Sequence, residues 1–306
     1  MLATKENAAR ISIASVSLMI LLKAVASILT GSISIRADAV HSIIDLSGVI
    51  IGFIGIRVSG RPPDERHTFG HGKAENIAGV VIAVLIFIAA GAIVYGAIRR
   101  LVYGGTVELV TLGIFVTAVA IVINVITSWY VMRVARATDS IALDATARHL
   151  MADVLSSVAV LVGLILVGLT GFTILDSIVA LLVAVLIARA AYLTMKNSFG
   201  GLMDTKLPEA EEQEVISCIM EHRSQLVGFH AVRTRTAGSE RFIDLHLVMP
   251  KNVSVEEAHQ MCDHLEQDLK NRIPNPNITI HVEPCDTECD QCLIFNCELR
   301  TGETSG

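Results

Sequence analysis

With 306 residues, 52% of them hydrophobic and only 18% charged, and a mean hydropathy of +0.59, the chain is too apolar for an ordinary soluble domain and reads as a membrane protein in contact with lipid. A formal net charge of -6 excludes the overall basicity on which nucleic-acid binding draws, so no nucleic-acid partner is expected. The first apolar run carries Lys23 and leads into further runs without a small-residue cleavage site, so no removable signal peptide is expected.

Apolar runs near the ~20 residues that cross a bilayer fall at 11–29, 33–58, 77–98, 109–132, 150–169 and 174–195, which predicts six spans. Basic residues collect before the first span (Lys5, Arg10), between the second and third (Arg57, Arg61, Arg66, Lys73), between the fourth and fifth (Arg133, Arg136, Arg148) and after the sixth (Lys196, Lys206). The opposite loops hold Arg36, Arg99 and Arg100. That asymmetry predicts cytoplasmic termini at both ends. Residues 142–148 are helix formers ahead of the fifth apolar run, so that helix is expected to start early. Gly48, Gly52, Gly55, Gly163 and Gly168 are small-residue positions that either admit close helix packing or are ordinary membrane glycines.

Two of the spans carry metal-donor side chains. His41 and Asp45 in the second, and His149 and Asp153 in the fifth, each stand four residues apart, one helical turn along a shared face. One such pair can be an interhelical hydrogen bond. Two pairs repeating one spacing are read as a site, because each ionisable group near the bilayer centre costs ~2.5–3.5 kcal/mol on insertion scales. Two imidazoles and two carboxylates suit tetrahedral zinc, and with neutral histidines their charge balances that of a divalent ion. Between the second and third spans, Asp64, His67 and His71 recur at three- and four-residue spacing in the loop 63–73. Such a loop is either a weak, exchangeable metal site or simply polar.

From about Lys206 the composition turns polar. Pro208 opens a helix to about residue 222; strands 227–236 and 241–249 are joined by a short turn; Ser254 and Glu257 form a capping box for a second helix; Pro274 and Pro276 end it; and Ile278, Ile280 and Val282 alternate with polar residues as a third strand. The order is αββαβ, a small open sheet with helices on one side. His230, His246, His259, His281 and Glu283 come from different elements, with His246, His281 and Glu283 placed on the polar faces of their strands. Spacing alone leaves each of them a surface residue as readily as a ligand. Cys218 and Cys262 read as small core residues. Cys285, Cys289, Cys292 and Cys297 crowd the tail and are either a zinc or iron-sulfur site or free thiols.

Taken together, the six spans, the two H-x-x-x-D pairs, the D-x-x-H-x-F-G-H-G-K loop and the αββαβ tail resemble a bacterial member of the cation diffusion facilitator family, the divalent-metal/proton antiporters. The resemblance runs from the first span to about Glu283. It implies a membrane all-α transport domain of six helices (1–205) and a ferredoxin-like, metallochaperone-like α+β cytoplasmic dimerisation domain (206–284), with a Cys-rich tail (285–306) on which it is silent. It further implies a homodimer that is no enzyme and exports Zn2+, or a similar ion such as Cd2+, Co2+, Fe2+ or Mn2+, in exchange for protons. His41, Asp45, His149 and Asp153 fall on the family's transport site, and Asp64, His67 and His71 on its loop site. His230, His246, His259, His281 and Glu283 fall on a binuclear cytoplasmic site, and Lys73 with Asp204 on an interlocking ion pair. The short loop 133–140 lacks the His-rich insert of many eukaryotic zinc transporters, which points to a prokaryotic inner membrane. A membrane metalloenzyme would need a motif such as H-E-x-x-H, which does not occur. A metal sensor without flux would keep the same ligands.

Overall fold

The computed structural model describes residues 4–30, 33–103, 111–170 and 174–285. The chain divides into two compact units between Leu202 and Met203. The first is helical: α1 Lys5–Thr30, α2 Ile33–Ser59, α3 Lys73–Tyr103, α4 Thr111–Thr138, α5 Ile141–Thr170 and α6 Ile174–Leu202. Four stretches, Lys5–Val25, Lys73–Tyr103, Ala118–Thr138 and Ser177–Leu202, are long and apolar enough to cross a membrane among the described residues. Large apolar side chains stand outward along them, among them Leu21, Ile88, Tyr95, Ile126, Trp129 and Leu182, as a lipid-facing surface requires.

The helices outrun their apolar segments. α3, at 31 residues, is about 46 Å long at 1.5 Å per residue, against ~30 Å of hydrocarbon. α1, α4, α5 and α6 each extend on the side that carries Lys5, Arg133, Arg148 and Lys196. The early start of α5 is real, and it is shielded: Ala142, Leu143, Ala145 and Ala147 are fully buried.

Small residues set the helix spacing. One cluster joins Ala8, Ala9, Ala78, Ala135, Ala142 and Ala147 to Ile56, Val131, Val134 and Leu143. A Cβ on Gly52 would stand 2.5 Å from the Thr146 hydroxyl, and one on Gly55 2.5 Å from the Ala78 Cβ. Glycine at these two positions is therefore what lets α2 lie against α5 and α3. At the basic end, the fully buried Glu75 accepts from Lys5 Nζ at 2.8 Å, Ser59 Oγ at 3.1 Å and Ser140 Oγ at 2.6 Å. A carboxylate without water needs such partners, and these tie α1, α2 and the start of α5 to α3.

The second unit runs α7 Glu209–Glu221, β1 Gly228–Ala237, β2 Glu240–Met249, α8 Val255–Arg272 and β3 Pro276–Pro284. The sheet order is β1-β2-β3, with β1 antiparallel to β2 and β2 parallel to β3. A parallel pair needs a crossover, which α8 supplies. Ser254 caps α8 through a reciprocal capping box with Glu257. Ile243, Leu245 and Leu247 face α7 and α8 and form one core with Val215, Cys218, Ile219, Met261, Cys262, Leu265 and Leu269. Alternation then leaves Asp244 and His246 on the open face.

One irregularity matters to that face. Between His230 and Arg233 the register of β1 slips by a residue, with Ala231 in the left-handed region at φ 50°. Strict period two would set His230 and Arg233 on opposite faces. The bulge lets both oppose open-face residues of β2, His246 and Asp244.

Candidate metal sites

In the helical unit, ligand atoms of Asp45, His149 and Asp153 all lie within 4.8 Å of one another. His149 is 3% exposed and Asp45 8%. His149 Nε2 stands 3.8 Å from Asp45 Oδ1. That distance is near the ~3.4 Å edge of a tetrahedron with metal–ligand bonds of ~2.1 Å. Helical period puts His149 and Asp153 on one face of α5, and Asp45 arrives from α2. Gly48, three residues after Asp45, makes the approach possible: a Cβ there would be 3.3 Å from His149 Nε2. His41 lies in α2 one turn before Asp45, but its side chain is outside the described residues. The neighbouring Ser42 accepts from Lys23 Nζ at 2.9 Å, which brings a cation from α1 beside this region, a contact that the sequence pattern alone does not disclose.

In the loop, Asp64, His67 and His71 also converge within 4.8 Å. Asp64 Oδ1 accepts from the backbone N–H of His67 at 2.7 Å and of Arg66 at 2.9 Å. These donors, the His67 amide foremost, hold its carboxyl below the usual range. Gly70, at φ 81°, turns the chain so that His71 Nε2 comes to 3.3 Å from Asp64 Oδ2. The His67 and His71 rings are 4.5 Å apart.

On the open face of the sheet the register aligns three histidines in a row: His230 opposite His246, and His246 beside His281. Glu283 lies under the row. Its Oε2 is 2.9 Å from His230 Nε2 and its Oε1 2.8 Å from His246 Nδ1. Those bonds, the one to His230 foremost, lower its pKa. His281 Nε2 is 3.6 Å from the same carboxylate. His230, His246 and Glu283 meet the geometry of a common site. His259 stands apart on α8, 75% exposed and 3.7 Å from Asp263, although it lines the same groove as Glu283.

Lys73 Nζ reaches the Leu202 carbonyl at 3.5 Å, and Asp204 accepts from Arg235 at 3.1 Å. Cys285 is buried at the end of β3, its N–H bonded to the Met249 carbonyl at 2.8 Å. Cys289, Cys292 and Cys297 lie outside the described residues. A fourth convergence was missed from sequence: His222, His264 and Asp268. The signal was available in part, since His264 and Asp268 repeat the four-residue spacing of the membrane pairs, but His222 joins them only through tertiary packing.

The chain is similar to known proteins over most of its length. Residues 9–203 match the model of the cation efflux transmembrane domain, and residues 207–285 that of the cation efflux protein cytoplasmic domain. The chain is 35% identical over 263 residues to an uncharacterized transporter, sll1263, of Synechocystis, covering 86% of this chain and 85% of that one. It is 34% identical over 282 residues to the cation-efflux pump FieF of Salmonella typhi, covering 92% and 93%. A solved structure of the transporter CzrB is 38% identical and covers 26% of this chain and 99% of its own, with a TM-score of 0.26.

Proposed function

The chain belongs to the cation efflux family, the cation diffusion facilitators, whose members are membrane transporters and not enzymes, and on that premise we propose that it exports Zn2+ from the cytoplasm in exchange for protons. Cd2+, Co2+, Fe2+ and Mn2+ are the related ions it would take less well. The observation that carries this reading is the convergence of Asp45, His149 and Asp153 inside a helical bundle, to which His41 is added as the fourth donor.

The coupling follows from the donors. Imidazole and carboxylate bind metal only when deprotonated, so metal and protons compete for one set of atoms. A site that opens alternately to the two faces then exchanges one for the other. An N2O2 set favours zinc over hard ions that prefer oxygen alone.

The rest of the reading is organised around this exchange. Residues 1–205 would form six spans with both termini in the cytoplasm of a prokaryotic inner membrane. Residues 206–284 would form a ferredoxin-like domain through which two copies pair. In that dimer Asp64, His67 and His71 would hold an exchangeable ion, and His230, His246, His281 and Glu283, joined by His259, would hold metal that reports cytoplasmic supply. Lys73 and Asp204 would interlock the protomers.

Reconstitution tests the core of it. Zn2+ uptake into proteoliposomes with an acidified lumen is expected to exceed uptake without a gradient, because protons leave as metal enters. Flux indifferent to a gradient in either direction would make the protein a uniporter, and metal binding without flux would make it a sensor.

A further inference from the structure

The helical layer of the second unit carries its own group of metal donors, on the side of the sheet opposite Glu283. His222 is the C-cap of α7, and His264 and Asp268 lie one turn apart on α8. His222 Nε2 is 3.2 Å from Asp268 Oδ2, and His264 Nε2 is 3.6 Å from the same oxygen. The two rings meet edge to face at 5.1 Å.

The other nitrogen of His222 fixes what this arrangement offers. Nδ1 lies 3.0 Å from the Cys218 carbonyl, and a carbonyl only accepts, so Nδ1 carries the proton. In the neutral ring Nε2 then aims a lone pair at a carboxylate. Two acceptors do not face one another at that distance without positive charge between them, either a proton or a cation. A proton would make a simple imidazolium–carboxylate pair. It would leave the third donor, His264 Nε2, unexplained: 3.6 Å is too long for a hydrogen bond but close to the ~3.4 Å edge of a tetrahedral zinc site. A histidine whose outer nitrogen donates to a backbone carbonyl is also the usual support of a metal ligand. The nearby cation Arg272 does not fill the gap, since its guanidinium is bonded to Glu221 and Glu214.

We propose that His222, His264 and Asp268 form a binding site for one divalent transition ion of the zinc class. Two nitrogens and one oxygen disfavour calcium and magnesium, which take oxygen ligands. Burial is graded across the site, from 9% exposure at the His222 side chain through 31% at Asp268 to 63% at His264, so the fourth position faces solvent and the ion can exchange. An ion held there ties the end of α7 to the middle of α8.

The test uses the full-length protein in detergent, stripped with chelator and titrated with Zn2+ against a chromophoric competitor. His264→Ala, at an exposed position, is expected to hold one zinc equivalent fewer per chain than the parent, as is Asp268→Asn. That loss should add to any caused by Asp153→Asn in the membrane unit, which keeps this site separable from the transport reading. Zn2+ should also slow hydrogen exchange around residues 218–222 in the parent and not in His264→Ala. Equal zinc equivalents in parent and both variants, or identical exchange protection, would overturn the site.

Discussion

The cluster in the helical unit and the cluster on the sheet use the same donor chemistry in opposite surroundings. Both gather imidazole and carboxylate atoms within 4.8 Å. His149 is 3% exposed, whereas the His230 and His281 side chains are 53% and 63% exposed. Asp45 and His149 are buried and Asp153 is partly buried, surroundings in which removing charge from water costs several kcal/mol, so under the proposed function metal and protons would compete for this cluster. At the sheet surface water and salt solvate an empty site, and Glu283 is already held by two imidazoles. Such a site can stay empty, as the proposed role of reporting metal supply would require.

The sharpest way to break this contrast is to neutralise one carboxylate of the inner cluster, the buried Asp45 or the partly buried Asp153. Asp153→Asn keeps the shape of the side chain and removes charge that would offset the cation. Removing one member of a buried charge set costs about 3–5 kcal/mol, or roughly 100-fold or more in affinity. Metal flux in proteoliposomes should fall to background, while size-exclusion chromatography shows an unchanged assembly. Near-parental flux in Asp153→Asn or Asp45→Asn would show that burial does not impose the coupling.

The sequence disclosed the two clusters unequally, for reasons of period and distance. Helical spacing set His149 and Asp153 on one face, and the alternation of β2 and β3 set His246, His281 and Glu283 on another. Local signals also found the capping box of Ser254 and the early start of α5. Contacts that depend on how elements meet were not legible: the cradle around Glu75, the reach of Lys23 to Ser42, and His222 arriving at Asp268. The bulge at Ala231 was hidden for a different reason. It breaks the period on which strand reading relies, and a left-handed alanine carries no residue-type signal.

A milder perturbation sharpens the comparison from the exposed side. His246→Ala with His281→Ala removes two donors that stand in water, so the fold should survive. Any effect on flux has to arrive through a change in assembly or conformation, and such couplings are typically about 1–3 kcal/mol. Transport should slow by about tenfold and not vanish, and the metal dependence of dimer dissociation should weaken in analytical ultracentrifugation. A complete loss of flux would place these histidines in the transport route itself.

The smallest effect concerns acid. The pKa of Glu283 is lowered by its bonds to His230 and then His246, so its contribution to the metal-free fold is fully present above the ordinary carboxylate range of ~4.3. It is lost as pH falls through the lowered value. The contribution is modest because the partners are partly exposed and screened by salt. Hydrogen-exchange protection factors of the β3 amides in chelator-treated protein, followed from pH 6 downward, should therefore fall only in the acid range below that of a free carboxylate. That fall should shrink at high salt, and Glu283→Gln, having no charge to lose, should show protection factors that stay flat over the same range. If the Gln variant retains the parental acid response, the sheet face is not what titrates. The bond network around Glu283 would then be a consequence of strand register and not a source of stability.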